Sequence, residues 1–145
     1  FNQVLLLVSN MVKKKSIQTE YNCDNDKPII KADASQLEQV FLNLIMNAID
    51  AVEKKGLIRI SVIDRPQSDN WRQNGSYLVI IEDNGLGISE EEQEKIFDPF
   101  YTNKQQGTGL GLSIVYGIIN KHGGDIGIES KVSEGTTVKI RLPKE

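Results

Sequence analysis

Val4, Leu5, Val8, Met11 and Val12 recur at helical spacing and predict an amphipathic helix ending near Lys15. Residues 16–23 alternate loosely, with Ile17 and Tyr21 as the inward positions of a short strand. A turn over 24–28 follows, and residues 29–32 are expected to pair back as a second strand. Asp33 with Gln36 three residues on has the form of a capping box. It opens a long helix expected to reach about Lys55, where Gly56 supplies the stop. Two Ile- and Val-rich strands are predicted over 57–63 and 76–82. The polar stretch between them carries Pro66, Trp71 and Asn74-Gly75 and reads as a solvated hairpin loop. Ser89 with Glu92 is a second capping box, starting a short helix to Phe97. Residues 98–109 have no period and read as a long loop of the kind that often serves as a lid. Residues 110–121 are helical again, closed by Gly123-Gly124, and two strands over 125–130 and 136–142 flank the turn at Glu134-Gly135. The sum is an α/β fold, a two-layer sandwich with a mixed, mostly antiparallel sheet of about five strands packed on three main helices.

Composition narrows the picture without changing it. The chain has 145 residues, 39% of them hydrophobic, enough for one domain (1–145) with a real core. A net charge of −3 and a pI near 5.3 give no reason to expect a nucleic-acid partner. The longest apolar runs, around Val4–Val8 and Tyr77–Ile81, fall far short of the ~20 residues of a spanning helix, so no membrane contact is expected. A single cysteine, Cys23, cannot close an internal disulfide, which suits a reducing cytoplasm. Phe1 opens directly into an apolar pattern, and the chain is expected to be a piece of a longer protein.

The long helix carries a feature that folding does not require. On a wheel of ~100° per residue, Leu37, Val40, Phe41, Leu44, Ile45, Ala48 and Val52 make one apolar face, widened by Leu42, Met46 and Ile49. The remaining narrow arc holds Gln39, Asn43, Asn47 and Asp50. A plain solvent-facing stripe is usually Lys and Glu, and Asn is a mediocre helix former. Amide and carboxylate oxygens stacked a turn apart suit a hard cation such as Mg²⁺, given a phosphate nearby.

Two glycine clusters supply places for the rest of a nucleotide. Asp83-Asn84-Gly85-Leu86-Gly87-Ile88 follows a strand end, where a carboxylate can accept a hydrogen bond from an exocyclic amine and the glycines let the backbone approach a flat ring. Gly107-Thr108-Gly109-Leu110-Gly111-Leu112 opens a helix, whose unsatisfied N–H groups and dipole attract phosphate. Neither is a dinucleotide fingerprint, since Glu90 and Ile114 stand where glycines would be needed, and no Gly-Lys-Ser/Thr of a P-loop is present.

In order, Asn43-Leu-Ile-Met-Asn47-Ala, Asp83-Asn-Gly-Leu-Gly87, Phe97-Asp-Pro-Phe100, Gly107-Thr-Gly-Leu-Gly-Leu112 and Gly135-Thr-Thr137 resemble the N, G1, F, G2 and G3 boxes of bacterial sensor histidine kinases. The resemblance covers nearly the whole chain and implies the Bergerat ATP-binding fold, with ATP and Mg²⁺ as ligands. It implies that Asp83 accepts the adenine amino group with support from Thr137, while Gly85, Gly87 and Ile88 line the base. Asn47 would offer an oxygen to Mg²⁺, with Asn43 next to the phosphate chain and Asp50 and Ala51 also at the nucleotide. Residues 97–107 would form the ATP lid, with Lys104 reaching the phosphates and Phe97 and Phe100 anchoring the lid to the core. Backbone N–H groups at Gly109, Leu110, Gly111 and Leu112 would hold the β- and γ-phosphates, with Gly107 and Thr108 also at the nucleotide. The role of Asp50 stays open between orienting Mg²⁺-bound water and completing the polar arc.

Hydrolases and Ser-directed kinases of the same superfamily carry Glu where this chain has Asn43, and a neutral amide cannot act as a base. Asn43 therefore favours a histidine kinase over a hydrolytic ATPase; a regulatory ATP-binding module is the other alternative. The only histidine, His122, sits at a helix end without a following acidic residue and reads as structural. The phosphoacceptor is expected on a separate dimerisation domain of a homodimeric parent, with a response regulator served indirectly. The expected location is the cytoplasm, whether or not the parent is anchored at a membrane.

Overall fold

The computed structural model describes residues 2–25, 28–65, 75–102 and 107–145. In chain order the elements are α1 (Asn2–Lys15), β1 (Gln18–Cys23), α2 (Ala34–Ala51), β2 (Leu57–Arg65), β3 (Ser76–Asp83), α3 (Glu90–Gln93), α4 (Gly111–Lys121), β4 (Asp125–Lys131) and β5 (Gly135–Pro143). The five strands form one sheet in the order β1-β2-β3-β5-β4. β1 runs parallel to β2, and the other three pairings are antiparallel.

Alternation along the strands sends one face into the core. Ile58, Ile60 and Val62 of β2, Tyr77, Val79 and Ile81 of β3, and Val138, Ile140 and Leu142 of β5 are buried. They meet Val40, Phe41, Leu44, Ile45, Ala48 and Ile49 of α2, Val115 and Ile119 of α4, and Val4 and Val8 of α1. The sheet's other face carries Glu20, Arg59, Glu82 and Glu129 on neighbouring strands, the first three linked as ion pairs. The fold is the expected two-layer sandwich with three main helices on one side.

Four expectations need correction. Residues 29–32 form no strand: β1 reaches its partner β2 across α2, a parallel pairing that requires a crossover and not a hairpin. α2 ends at Ala51, four residues before Lys55, because Val52 is already extended (ψ 134) and Lys55 has φ 64. α3 is a single turn, capped by the expected reciprocal Ser89–Glu92 box, and residues 94–97 continue as turns. At the start of α2 only half of the first box forms. Asp33 accepts from the N–H groups of Ser35 and Gln36, while the buried Gln36 Oε1 has no protein partner among the described residues.

Candidate functional site

The polar arc of α2 lies along the helix as the wheel predicts. Asn43 and Asn47 are half-buried, whereas Gln39 and Asp50 at its ends are exposed. Helix α4 packs against α2, and its first residue closes on the arc: a Cβ built on Gly111 would stand 4.0 Å from Asn43 Cγ. Leu110, the residue preceding α4, makes no side-chain cap, so among the described residues the first-turn N–H groups have no capping side chain. Amide oxygens and uncapped helix donors thus meet at one place.

Asp83 ends β3 on the core face of the sheet. Burial raises its carboxyl above the ordinary carboxylate range, opposed by hydrogen bonds from the N–H groups of Gly85 (2.8 Å) and Thr136. The loop after it is fixed at both sides. Leu86 N–H donates to Ala51 O at the end of α2, and Leu86 O accepts from Ser133 N–H in the β4–β5 turn. Gly85 must lack a side chain here, because a Cβ would lie 2.6 Å from Ala51 O. Both backbone groups of Ile88 are held as well. Its N–H donates to Ser130 Oγ (2.8 Å) and its carbonyl accepts from Gln93 Nε2 (2.9 Å). Gly87, with φ 72, joins these two anchored stretches.

Thr137 and Asp83 are on opposite faces. Register pairs Asp83 with Thr136 and Glu82 with Thr137, and Thr136 is buried while Thr137 is not. Thr136 shares a 2.8 Å hydroxyl contact with Ser130, the residue that holds Ile88. The residues that sequence reasoning passed over are therefore Thr136, Ser130 and Gln93. The signal for Thr136 was present: Val138, Ile140 and Leu142 set the inward parity of β5, and Thr136 shares it. Asn84 is a further one, its Oδ1 accepting Leu57 N–H (2.7 Å) where the β2–β3 ladder stops.

The loop from Phe97 to α4 is gathered at its base. Phe100 N–H donates to Gly109 O (2.9 Å), and Gly109 has φ 69 with a built Cβ only 2.4 Å from the Phe100 carbonyl carbon, so any other residue would break this closure. Phe97 packs on the core and lies 5.6 Å from the Tyr116 ring on α4. Phe100 differs from expectation: its ring is 76% exposed, and its backbone does the anchoring. Gly107 and Thr108 are exposed, and Leu110 and Leu112 are partly buried. Lys104 lies outside the described residues.

A hard cation is compatible with this donor set. Among the described residues no cluster of three or more His, Cys, Asp or Glu exists. An ion beside Asn43 and Asn47 would take few protein oxygens and rely on phosphate and water, the habit of Mg²⁺.

A sheet layered on three helices, with a half-buried Asp at a strand end and an uncapped helix start facing an Asn-bearing helix, defines a nucleotide-binding α/β sandwich. The chain belongs to the family of histidine kinase-, DNA gyrase B- and HSP90-like ATPases, whose model matches residues 32–145. It is 34% identical over 142 residues to the sensor histidine kinase ZraS of Escherichia coli, covering 98% of this chain and 29% of that protein. It is 42% identical to the sensor kinase CckA of Brucella abortus, covering 96% of this chain and 16% of that one. Among solved structures, the nucleotide-free catalytic domain of histidine kinase ThkA superposes with a TM-score of 0.84 at 36% identity, over 99% of this chain and 89% of that domain. Full-length ShkA in complex with AMPPNP superposes with a TM-score of 0.80 at 26% identity, over 98% of this chain and 28% of that protein. The chain therefore corresponds to a catalytic ATP-binding domain and spans under a third of the length of these two curated sensor kinases.

Proposed function

We propose that the chain binds Mg²⁺–ATP and donates the γ-phosphate to a histidine on a separate dimerisation domain of its parent protein. The observation that carries this reading is Asn43, a half-buried amide beside the start of α4 where a hydrolase needs a carboxylate base. A histidine acceptor presents a ring nitrogen that is already nucleophilic near neutral pH, so no base is required at that position. The nitrogen would attack the γ-phosphorus as the bond to the β–γ bridging oxygen breaks, leaving ADP. Mg²⁺, when bound, would neutralise charge on the phosphate oxygens.

The chain's own residues would then bind and orient. Asp83 would accept the adenine amino group, with Thr136 in place of Thr137 as its hydroxyl neighbour. Ile88, clamped through Ser130 and Gln93, would line the base. Asn47 would supply an oxygen to the metal and Asn43 a contact to the phosphates, while the first N–H groups of α4 hold the phosphate tail. Lys104 would add a positive charge from the lid. His122 is not an acceptor in this reading, since its ring is engaged with backbone groups at the α2–α4 joint. The parent is expected to be a cytoplasmic-facing homodimer that serves a response regulator; ThkA, one of the structural relatives, is known in complex with such a regulator, TrrA.

The test mixes this chain with Mg²⁺, γ-labelled ATP and the parent's upstream helical domain. Label on that domain, lost with Asn47→Ala, is the expected result. Nucleotide binding with no transfer would instead indicate a regulatory ATP-binding module.

A further inference from the structure

α2 ends under an electrostatic handicap. Its last turn contains Asp50 and no basic residue, so the negative end of its dipole meets a negative side chain. The compensating cation comes from another helix. Lys15 Nζ donates to Ile49 O at 2.6 Å and to Val52 O at 3.1 Å, both in a partly buried setting. Of the three lysines closing α1, Lys13 and Lys14 are exposed and only Lys15 turns inward.

Lys15 is itself held in place. Ser16 takes φ 54, its N–H donates to Lys13 O, and Ile17 N–H donates to Val12 O, which is a Schellman closure of α1. Buried Ile17 pins that closure, and Lys15 O accepts from Lys55 N–H. The residue therefore joins the end of α1 to the end of α2 through both its backbone and its side chain.

The turn it grips also seats the loop after Asp83. Ala51 O, lying between the two carbonyls that Lys15 occupies, is the acceptor for Leu86 N–H and the atom against which Gly85 packs. Asn47 lies one turn earlier on the same helix.

We infer that Lys15 is a positioning residue of the nucleotide site: its ammonium fixes the last turn of α2, and through it the Gly85–Leu86 loop and Asn47. Loss of the cation leaves two partly buried carbonyls seeking new partners, and that turn cannot shift without moving the base-lining loop. The inference rests on the nucleotide reading given above.

The test measures Mg²⁺–ADP affinity, melting temperature and amide exchange at Leu86 for the full chain and for Lys15→Met, Lys15→Gln and Lys15→Arg. Val79→Ala, a buried core substitution in the middle of β3, outside the joint between α1 and α2, serves as a control for general destabilisation. Lys15→Met is expected to weaken ADP binding about tenfold and to speed Leu86 exchange, with Lys15→Arg restoring both. Val79→Ala should lower the melting temperature with affinity kept within about twofold. Should Lys15→Met fail to fold, Lys15→Gln, which keeps a donor but no charge, is read in its place with the same expectation. Unchanged affinity in a folded Met or Gln variant overturns the inference, as does an equal affinity loss in Val79→Ala. Failure of the unaltered chain to bind ADP would instead overturn the nucleotide reading itself.

Discussion

Asp83 shows how one side chain can cost stability in the service of a proposed role. Burial raises its folded-state pKa, so the fold favours its protonated form. For a carboxyl with a raised pKa, stability is lost as pH rises from the unfolded value through the folded one. Asp83→Asn is therefore expected to melt at the same or a higher temperature at pH 7 while binding ATP roughly 10- to 100-fold more weakly, the worth of a hydrogen bond to a charged group. A calorimetric titration beside a thermal melt checks both halves. Asp83, Asn43, Asn47 and the two glycine clusters were legible as residue types in order. That Thr136 and not Thr137 shares the face of Asp83 was not legible from the box motif, which does not state which of two adjacent threonines faces inward. Ser130 and Gln93 were invisible because they act through the backbone of Ile88, which no sequence spacing announces.

At the scale of elements, the joint between α2 and α4 rests on His122. Its Nε2 accepts from Asp33 N–H (3.0 Å) at the start of α2, and its Nδ1 lies 2.8 Å from Ile118 O at the end of α4, so the fitting tautomer carries its proton on Nδ1. His122→Ala should cost about 1–2 kcal/mol in denaturant unfolding and leave phosphotransfer to an added histidine domain intact; loss of transfer with nucleotide binding preserved would give His122 a chemical role. The helices and the four antiparallel strands were readable because their periods are strong and their caps are local. Residues 29–32 were misread as a strand because a short apolar run bounded by a proline looks the same whether or not it pairs. The parallel partner of β1 lies about forty residues on, across α2, and pairing at that distance leaves no local mark.

At the scale of the whole molecule, the two ends of the sandwich do different work. The end holding Asp83 and the start of α4 is the proposed nucleotide site. The opposite end is tied by charge: Lys144 pairs with Asp64 and lies 5.0 Å from the Tyr77 ring, and Asn25 Nδ2 donates to Asp64 (3.2 Å). These bonds hold the Asp64 carboxyl below its ordinary range. A depressed carboxylate pKa contributes stability that is present above the unfolded value, near 4, and is lost as pH falls through the folded one. Melting temperature should therefore drop more steeply below about pH 4 in the unaltered chain than in Asp64→Asn. The central claim, that this chain holds adenine through Asp83, is tested most directly by titrating it with ATP and then GTP in the presence of Mg²⁺. Adenine offers Asp83 an amino donor, whereas guanine would set a carbonyl oxygen against the carboxylate. Clear binding of ATP with GTP at least about tenfold weaker, a gap of 1.4 kcal/mol, is the expected result, and equal binding of the two nucleotides, or binding of neither, would contradict it.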